Sequence, residues 1–167
     1  MSTTIKLSNE QIHEIAENID MGEVCYINAQ TGEIIFMMNN EIFSDYGISW
    51  EDDEEEEETL DNDNHGWQDE MYAEVKADMN KIYSWDLKDT IRIEKPETNK
   101  AFEFMQHFID EVIPEGKLKQ NFWKVLSKSH PFRNFNAIIH NCEYKENWFA
   151  FKQNALEEYV RNEIAYR

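Results

Sequence analysis

A chain of 167 residues with 41% apolar and 13% aromatic residues can build one core, or one core with a small appendage. Its formal net charge of −19 leaves an excess of carboxylates that must stay in water. Two cysteines, Cys25 and Cys142, far apart and without C-x-x-C spacing, argue against a disulfide scaffold and for a reducing compartment. The opening residues Met1 to Lys6 carry no apolar run of the signal-peptide kind, and the longest apolar stretch, 34–38, is far short of a membrane span. A cytoplasmic location with no membrane partner is therefore expected.

The charge is divided along the chain. Residues 1–114 hold 7 Lys+Arg against 29 Asp+Glu, whereas residues 115–167 hold 9 against 6. An acidic front repels nucleic-acid phosphates and anionic membranes and attracts basic proteins and divalent cations. Screening limits that reach to about 8 Å at physiological salt.

In chain order, Ser8 and Gln11 make the S-x-x-Q pattern of a capping box. Ile12, Ile15, Ala16 and Ile19 follow at the spacing of an amphipathic helix. Two β-rich segments, 23–28 and 33–38, flank Ala29-Gln-Thr-Gly32 and predict a hairpin in which Gly32 takes positive φ. Val24, Tyr26 and Asn28 then share one strand face, and Cys25 and Ile27 the other. A third strand is read around 41–46. Residues 51–58 are eight consecutive carboxylates, and 45–70 holds 13 acidic residues with no Lys or Arg. Such a run cannot pack without burying charge, so 49–66 reads as a mobile acidic loop, either a docking surface for a basic partner or a solvated insert.

Met71, Val75, Met79, Ile82 and Tyr83 fit a helix, and 89–94 a strand with Ile91 and Ile93 on one face. Thr98 is placed to cap the next helix, whose apolar face is Phe102, Met105, Phe108, Ile109, Val112 and Ile113, and Pro114-Glu-Gly116 ends it. A helix over 117–127 turns Leu118, Phe122, Val125 and Leu126 inward. Pro131 suits the first turn of a short helix holding Phe132, Phe135 and Ile139, and a last helix starts near Tyr144. The expected fold is α+β: a small antiparallel sheet with an N-terminal helix, followed by a mainly helical C-terminal half, in one domain over 1–167.

No catalytic or cofactor signature emerges, and no cofactor or metal is expected. Asp61-Asn-Asp63-Asn-His65-Gly66 opens like a calcium loop, but its fifth position is His65 and its twelfth is Tyr72, where the bidentate glutamate is required. His13, His65, His107, His130 and His140 form no pair of metal-ligand spacing. His140 stands two residues before Cys142 without a third partner in sequence. No phosphate-cradling glycine motif occurs.

The C-terminal half is the more informative. Lys117, Asn121, Lys124 and Lys128 fall on one helical stripe opposite the apolar face, and Arg133 follows in Pro131-Phe-Arg-Asn-Phe135. Trp123, Phe132, Phe135, Trp148, Phe149 and Phe151 are interleaved with them. Basic residues beside aromatics can hold single-stranded nucleic acid, with phosphates on the cations and bases on the rings. The same rings at these spacings also make a core, with the lysines coating a helix. Arg133, held between two core-directed phenylalanines, either pairs with a carboxylate of the fold, such as Glu146, Glu157 or Glu158, or waits for an anion; pairing is the expected state.

Tyr26-Ile-Asn-Ala-Gln-Thr-Gly32-Glu-Ile, Phe104-Met-Gln-His-Phe108-Ile, Phe132-Arg-Asn-Phe135 and Trp148-Phe-Ala-Phe151-Lys occur in an order that resembles an uncharacterised bacterial protein family, number one-five-eight of the uncharacterised series. The resemblance spans most of the chain and sets the acidic stretch 51–65 apart as an insertion. The family pattern has a small residue, often as Gly-x-x-Ala, just before Phe-Arg, where this chain has Ser127-Lys-Ser-His-Pro131. The resemblance implies a cytoplasmic bacterial domain with the Phe-Arg-x-Phe region as a shared site, and brings no activity, ligand or catalytic residue.

The leading expectation is a non-enzymatic interaction or regulatory module with an acidic surface and a basic protein as partner. The alternative is a nucleic-acid-binding module using the basic aromatic C-terminal half. Candidate interaction residues are Arg133, Phe132, Phe135, Lys124, Lys128 and Trp148. An enzyme centred on Cys142 with His140 as base is a third class. The sequence does not fix the oligomeric state.

Overall fold

The computed structural model describes residues 5–38 and 66–166. The expected strand around 41–46, the eight-carboxylate run and the calcium-like loop through His65 lie outside the described residues. Two compact units are present, one formed by the chain up to Lys95 together with the residues from Glu163 onward, the other by Pro96–Asn162.

The first unit begins with α1 (Asn9–Asp20). Its capping box is closed as the sequence implies: the Gln11 amide donates to Ser8 Oγ at 3.1 Å, and the Ser8 amide donates to Gln11 Oε1 at 2.9 Å. The stripe Ile12, Ile15, Ala16 and Ile19 is buried. Strands β1 (Glu23–Asn28) and β2 (Ile34–Met38) form the hairpin, and β3 (Thr90–Ile93) joins the other edge, giving the antiparallel order β2-β1-β3. Gly32 has φ +76°, the left-handed value that the turn needs and that a side chain disfavours. Asn28 holds the same turn from inside: its Oδ1 accepts from the Gln30 amide at 2.8 Å and the Thr31 amide at 3.2 Å. Cys25 lies opposite Ile93 and Ile27 opposite Ile91, so the Cys25–Ile27 face of β1 and the Ile91–Ile93 face of β3, each read separately from the sequence, form one buried face. Tyr26 lies between Ile35 and Arg92 on the reverse face. Helix α1 packs on β1, and α2 (Gly66–Ser84) packs on β2. Tyr83, near the end of α2, is 76% exposed. A short 3-10 turn, Leu87–Asp89, leads into β3.

The second unit is helical. Helix α3 (Thr98–Val112) is followed by α4 (Lys117–Leu126), α5 (Pro131–Ile139) and α6 (Lys145–Ala165). Thr98 does not cap α3; Glu97 is the cap residue, without a side-chain bond, and Thr98 is already helical. Pro96 has no amide hydrogen and so cannot extend the strand before it; Glu97, at φ −57° and ψ 156°, then precedes the first helical residue. Pro131 occupies the first turn of α5 as expected, preceded by His130 at φ 56°. The core is aromatic. Phe108, Phe122 and Phe135 are fully buried, and Trp148 nearly so. Phe135 meets Trp148 edge-on at 4.8 Å and Phe122 at 5.2 Å, while Phe108 meets Trp148 at 5.2 Å. Such tilted pairs add about 0.5–1.5 kcal/mol each beyond the burial of apolar area. The chain is thus an α+β protein, and no described helix is long and apolar enough to cross a membrane.

Candidate functional site: an acidic groove with an aromatic floor

Helices α3 and α6 run antiparallel in the second unit: Phe108 meets Trp148 and Phe151, and residues nearer the start of α3 face residues further along α6. Between them lies an open groove of about 440 Å³. Phe104, Phe151 and Ala155 form its floor, with Tyr159 beside them. Phe104 and Phe151 are also packed against the aromatic core, which fixes their rings in place. Ala155 is the small residue of this floor.

The rim is acidic. On α3, Glu103, His107 and Glu111 stand four residues apart, so they share one helix face. On α6, Glu158 lines the opposite wall between Asn154 and Asn162. The three carboxylates and His107 are exposed. Glu103 is 3.6 Å from Lys100, which also lines the groove, whereas Glu111 and Glu158 form no ion pair among the described residues. Three carboxylates against one lysine make a negative trough over an apolar floor. That arrangement can accept a cationic group at the rim while covering aliphatic or aromatic surface below it.

The residues expected from sequence fall elsewhere. Phe135 is fully buried and Trp148 is 6% exposed, so neither ring reaches a partner; both belong to the core. Phe132 is half-buried and edge-on to Phe102 at 6.3 Å. Lys124, Lys128 and Arg133 are exposed. The pairing expected for Arg133 is not found: it makes no ion pair with Glu146, Glu157, Glu158 or any other carboxylate among the described residues. Its place on the outer face of a two-and-a-half-turn helix accounts for this, since the flanking Phe132 and Phe135 turn inward and carry it toward solvent. Of the rings singled out in the sequence, Trp123 and Phe149 are the exposed ones, at 39% and 42%.

His140 and Cys142 do not form a nucleophile and base. The His140 ring lies 6.0 Å from that of Phe149, and Cys142 Sγ donates to the Ile139 carbonyl at 3.5 Å. Cys25 is buried, and burial first, then the nearby Glu14 carboxylate, pushes its thiol up to about 12. Such a thiol stays protonated and is a poor nucleophile. Among the described residues no group of three or more His, Cys, Asp or Glu is placed to hold a metal ion.

The groove itself was missed in the sequence. Its signal was present in two spacings, Glu103-His107-Glu111 on α3 and Phe151-Ala155-Tyr159 with Glu158 on α6. Neither stripe reveals that the two helices face each other, because that depends on how the phenylalanines of both pack in the core. Comparison of the chain with protein-family models, with curated proteins and with solved structures finds no match in any of the three.

Proposed function

We propose that the protein is a non-enzymatic interaction module, and that the α3–α6 groove takes a basic amphipathic segment of a partner protein. The observation that carries this reading is the carboxylate rim, Glu103, Glu111 and Glu158, set around the floor of Phe104, Phe151 and Ala155. A helical segment laid in the groove covers the floor with its apolar face and brings lysine or arginine heads to the rim. The aliphatic stems of those side chains add apolar contact while their charges stay near water. The acidic run 51–58 has the same sign, and its contribution is to the association rate at low salt.

The test is a titration of a labelled amphipathic lysine-leucine peptide followed by fluorescence anisotropy. Ala155→Trp fills the floor without changing charge, and the expected outcome is about a tenfold or greater loss of affinity. Glu111→Gln with Glu158→Gln weakens binding and flattens its salt dependence. Equal binding to the Ala155→Trp variant would show that the peptide is held by diffuse charge and would remove the groove as the site. Circular dichroism of each variant verifies the fold.

A further inference from the structure

Residues 117–142 contain five Lys or Arg and no Asp or Glu, in a chain that holds 35 acidic residues. The structure separates these five cations into two kinds. Lys119 turns inward, with its ammonium on the Asp110 carbonyl and on Glu115. Lys117, Lys124, Lys128 and Arg133 are exposed, and none forms an ion pair among the described residues. Elsewhere pairing is common: Lys81 with Glu33, Lys88 with Asp86, Arg92 with Glu94 and Lys100 with Glu103. Four cations without a carboxylate, carried by the packed pair α4–α5 and the turn between them, make a positive surface within an acidic chain.

Beside it stands Trp123, 39% exposed and next to Lys124 in sequence. An indole held at the edge of a helix that buries Phe122 and Leu126 is fixed at its root and open on its outer side. Lys117 and Lys124 are two helical turns apart on one stripe, about 10 Å along the axis. We infer that the α4–α5 face binds single-stranded nucleic acid, with phosphates on Lys117, Lys124, Lys128 and Arg133 and one base stacked on Trp123. A flexible single strand can place a base on a ring while its backbone follows the cations; a duplex keeps its bases paired and offers only phosphates. An acidic protein segment would use the cations and leave the indole idle. The surface is independent of the α3–α6 groove and uses none of its residues.

The experiment uses the full chain, a labelled oligothymidylate and anisotropy measured across salt. Four phosphate contacts give a slope of log affinity against log salt of about −3. Neutralising Lys124, Lys128 and Arg133 together with glutamine brings the slope to about −1. Trp123→Ala costs about fivefold to 150-fold in affinity, the equivalent of about 1–3 kcal/mol per stacked base, while Trp123→Phe keeps most of the binding. Oligothymidylate also quenches indole fluorescence in the parent and not in the Trp123→Phe protein to the same extent. No binding near 50 mM salt, the low end of the usual range, overturns the inference. So does polyglutamate binding as tightly as the oligonucleotide with the Trp123→Ala variant unaffected, which would assign the face to an acidic protein.

Discussion

The ammonium of Lys119 donates to the backbone carbonyl of Asp110 at 3.2 Å, tying the start of α4 to the last turn of α3. The same nitrogen lies 3.0 Å from Glu115, and the Lys119 side chain is 11% exposed. A helix end leaves carbonyls without intrahelical donors, and a cation there also opposes the negative end of the helix dipole. Removing the side chain leaves the carbonyl short of a donor and opens space beneath it. Lys119→Ala is expected to lower stability by about 2 kcal/mol in a denaturant titration. Lys119→Met keeps the apolar stem and recovers about 1 kcal/mol of that. Glu115→Gln costs less than about 1 kcal/mol, since Glu115 is 91% exposed.

Cys25 gives the first unit a signature at alkaline pH. Its thiol is pushed up to about 12 in the folded protein from an ordinary value of 9.0. The folded state therefore holds its proton where the unfolded chain has lost it. The stabilisation is fully present below about pH 9 and is lost progressively as the pH rises toward about 12. The melting temperature of the parent is expected to fall more steeply over this window than that of Cys25→Val. Parallel curves would show that the thiol does not titrate with unfolding. Below pH 9, Cys25 should also react with a thiol reagent more slowly than the half-buried Cys142.

Gly32 isolates a backbone effect. A Cβ built there meets nothing within 4 Å, so the cost of Gly32→Ala is that of φ +76° alone. About 1–2 kcal/mol is expected from the left-handed conformation. A neutral result would mean that the hairpin turn relaxes to negative φ.

The aromatic residues of the 122–135 region should divide sharply in a stability scan. Phe135→Ala empties the centre of the core and is expected to cost about 3–5 kcal/mol. Trp123→Ala, at a position that is 39% exposed, should cost no more than about 1 kcal/mol. Comparable losses at both positions would contradict the burial of the one and the exposure of the other.

Arg133→Lys should leave the melting temperature unchanged, because the exposed guanidinium has no carboxylate partner among the described residues and the substitution keeps the charge. A fall in melting temperature would reveal a pairing that supports the fold. Neutralisation at Arg133 acts instead on the salt dependence of oligonucleotide binding.

Local chemistry made much of this protein legible before the structure. The Ser8–Gln11 box, the Ile12–Ile19 stripe, the Gly32 turn and Pro131 at the head of α5 each depend on residues within a few positions of one another, and each stands where the sequence puts it. Strand alternation also placed Ile91 and Ile93 on one face, but only the pairing of Cys25 with Ile93 and Ile27 with Ile91 set that face against its neighbour. The interaction residues were harder. Periodicity marks Phe132, Phe135 and Trp148 as aromatic without telling core from surface, and the structure turns Phe135 and Trp148 inward because two more rings, Phe108 and Phe122, converge on them from other helices. Lys119 reads as one more surface lysine until the end of α3 arrives beside it. The acidic groove belongs wholly to that level, since Glu111 and Glu158 lie 47 positions apart and become two walls of one trough only when α3 and α6 pack across the same aromatic core.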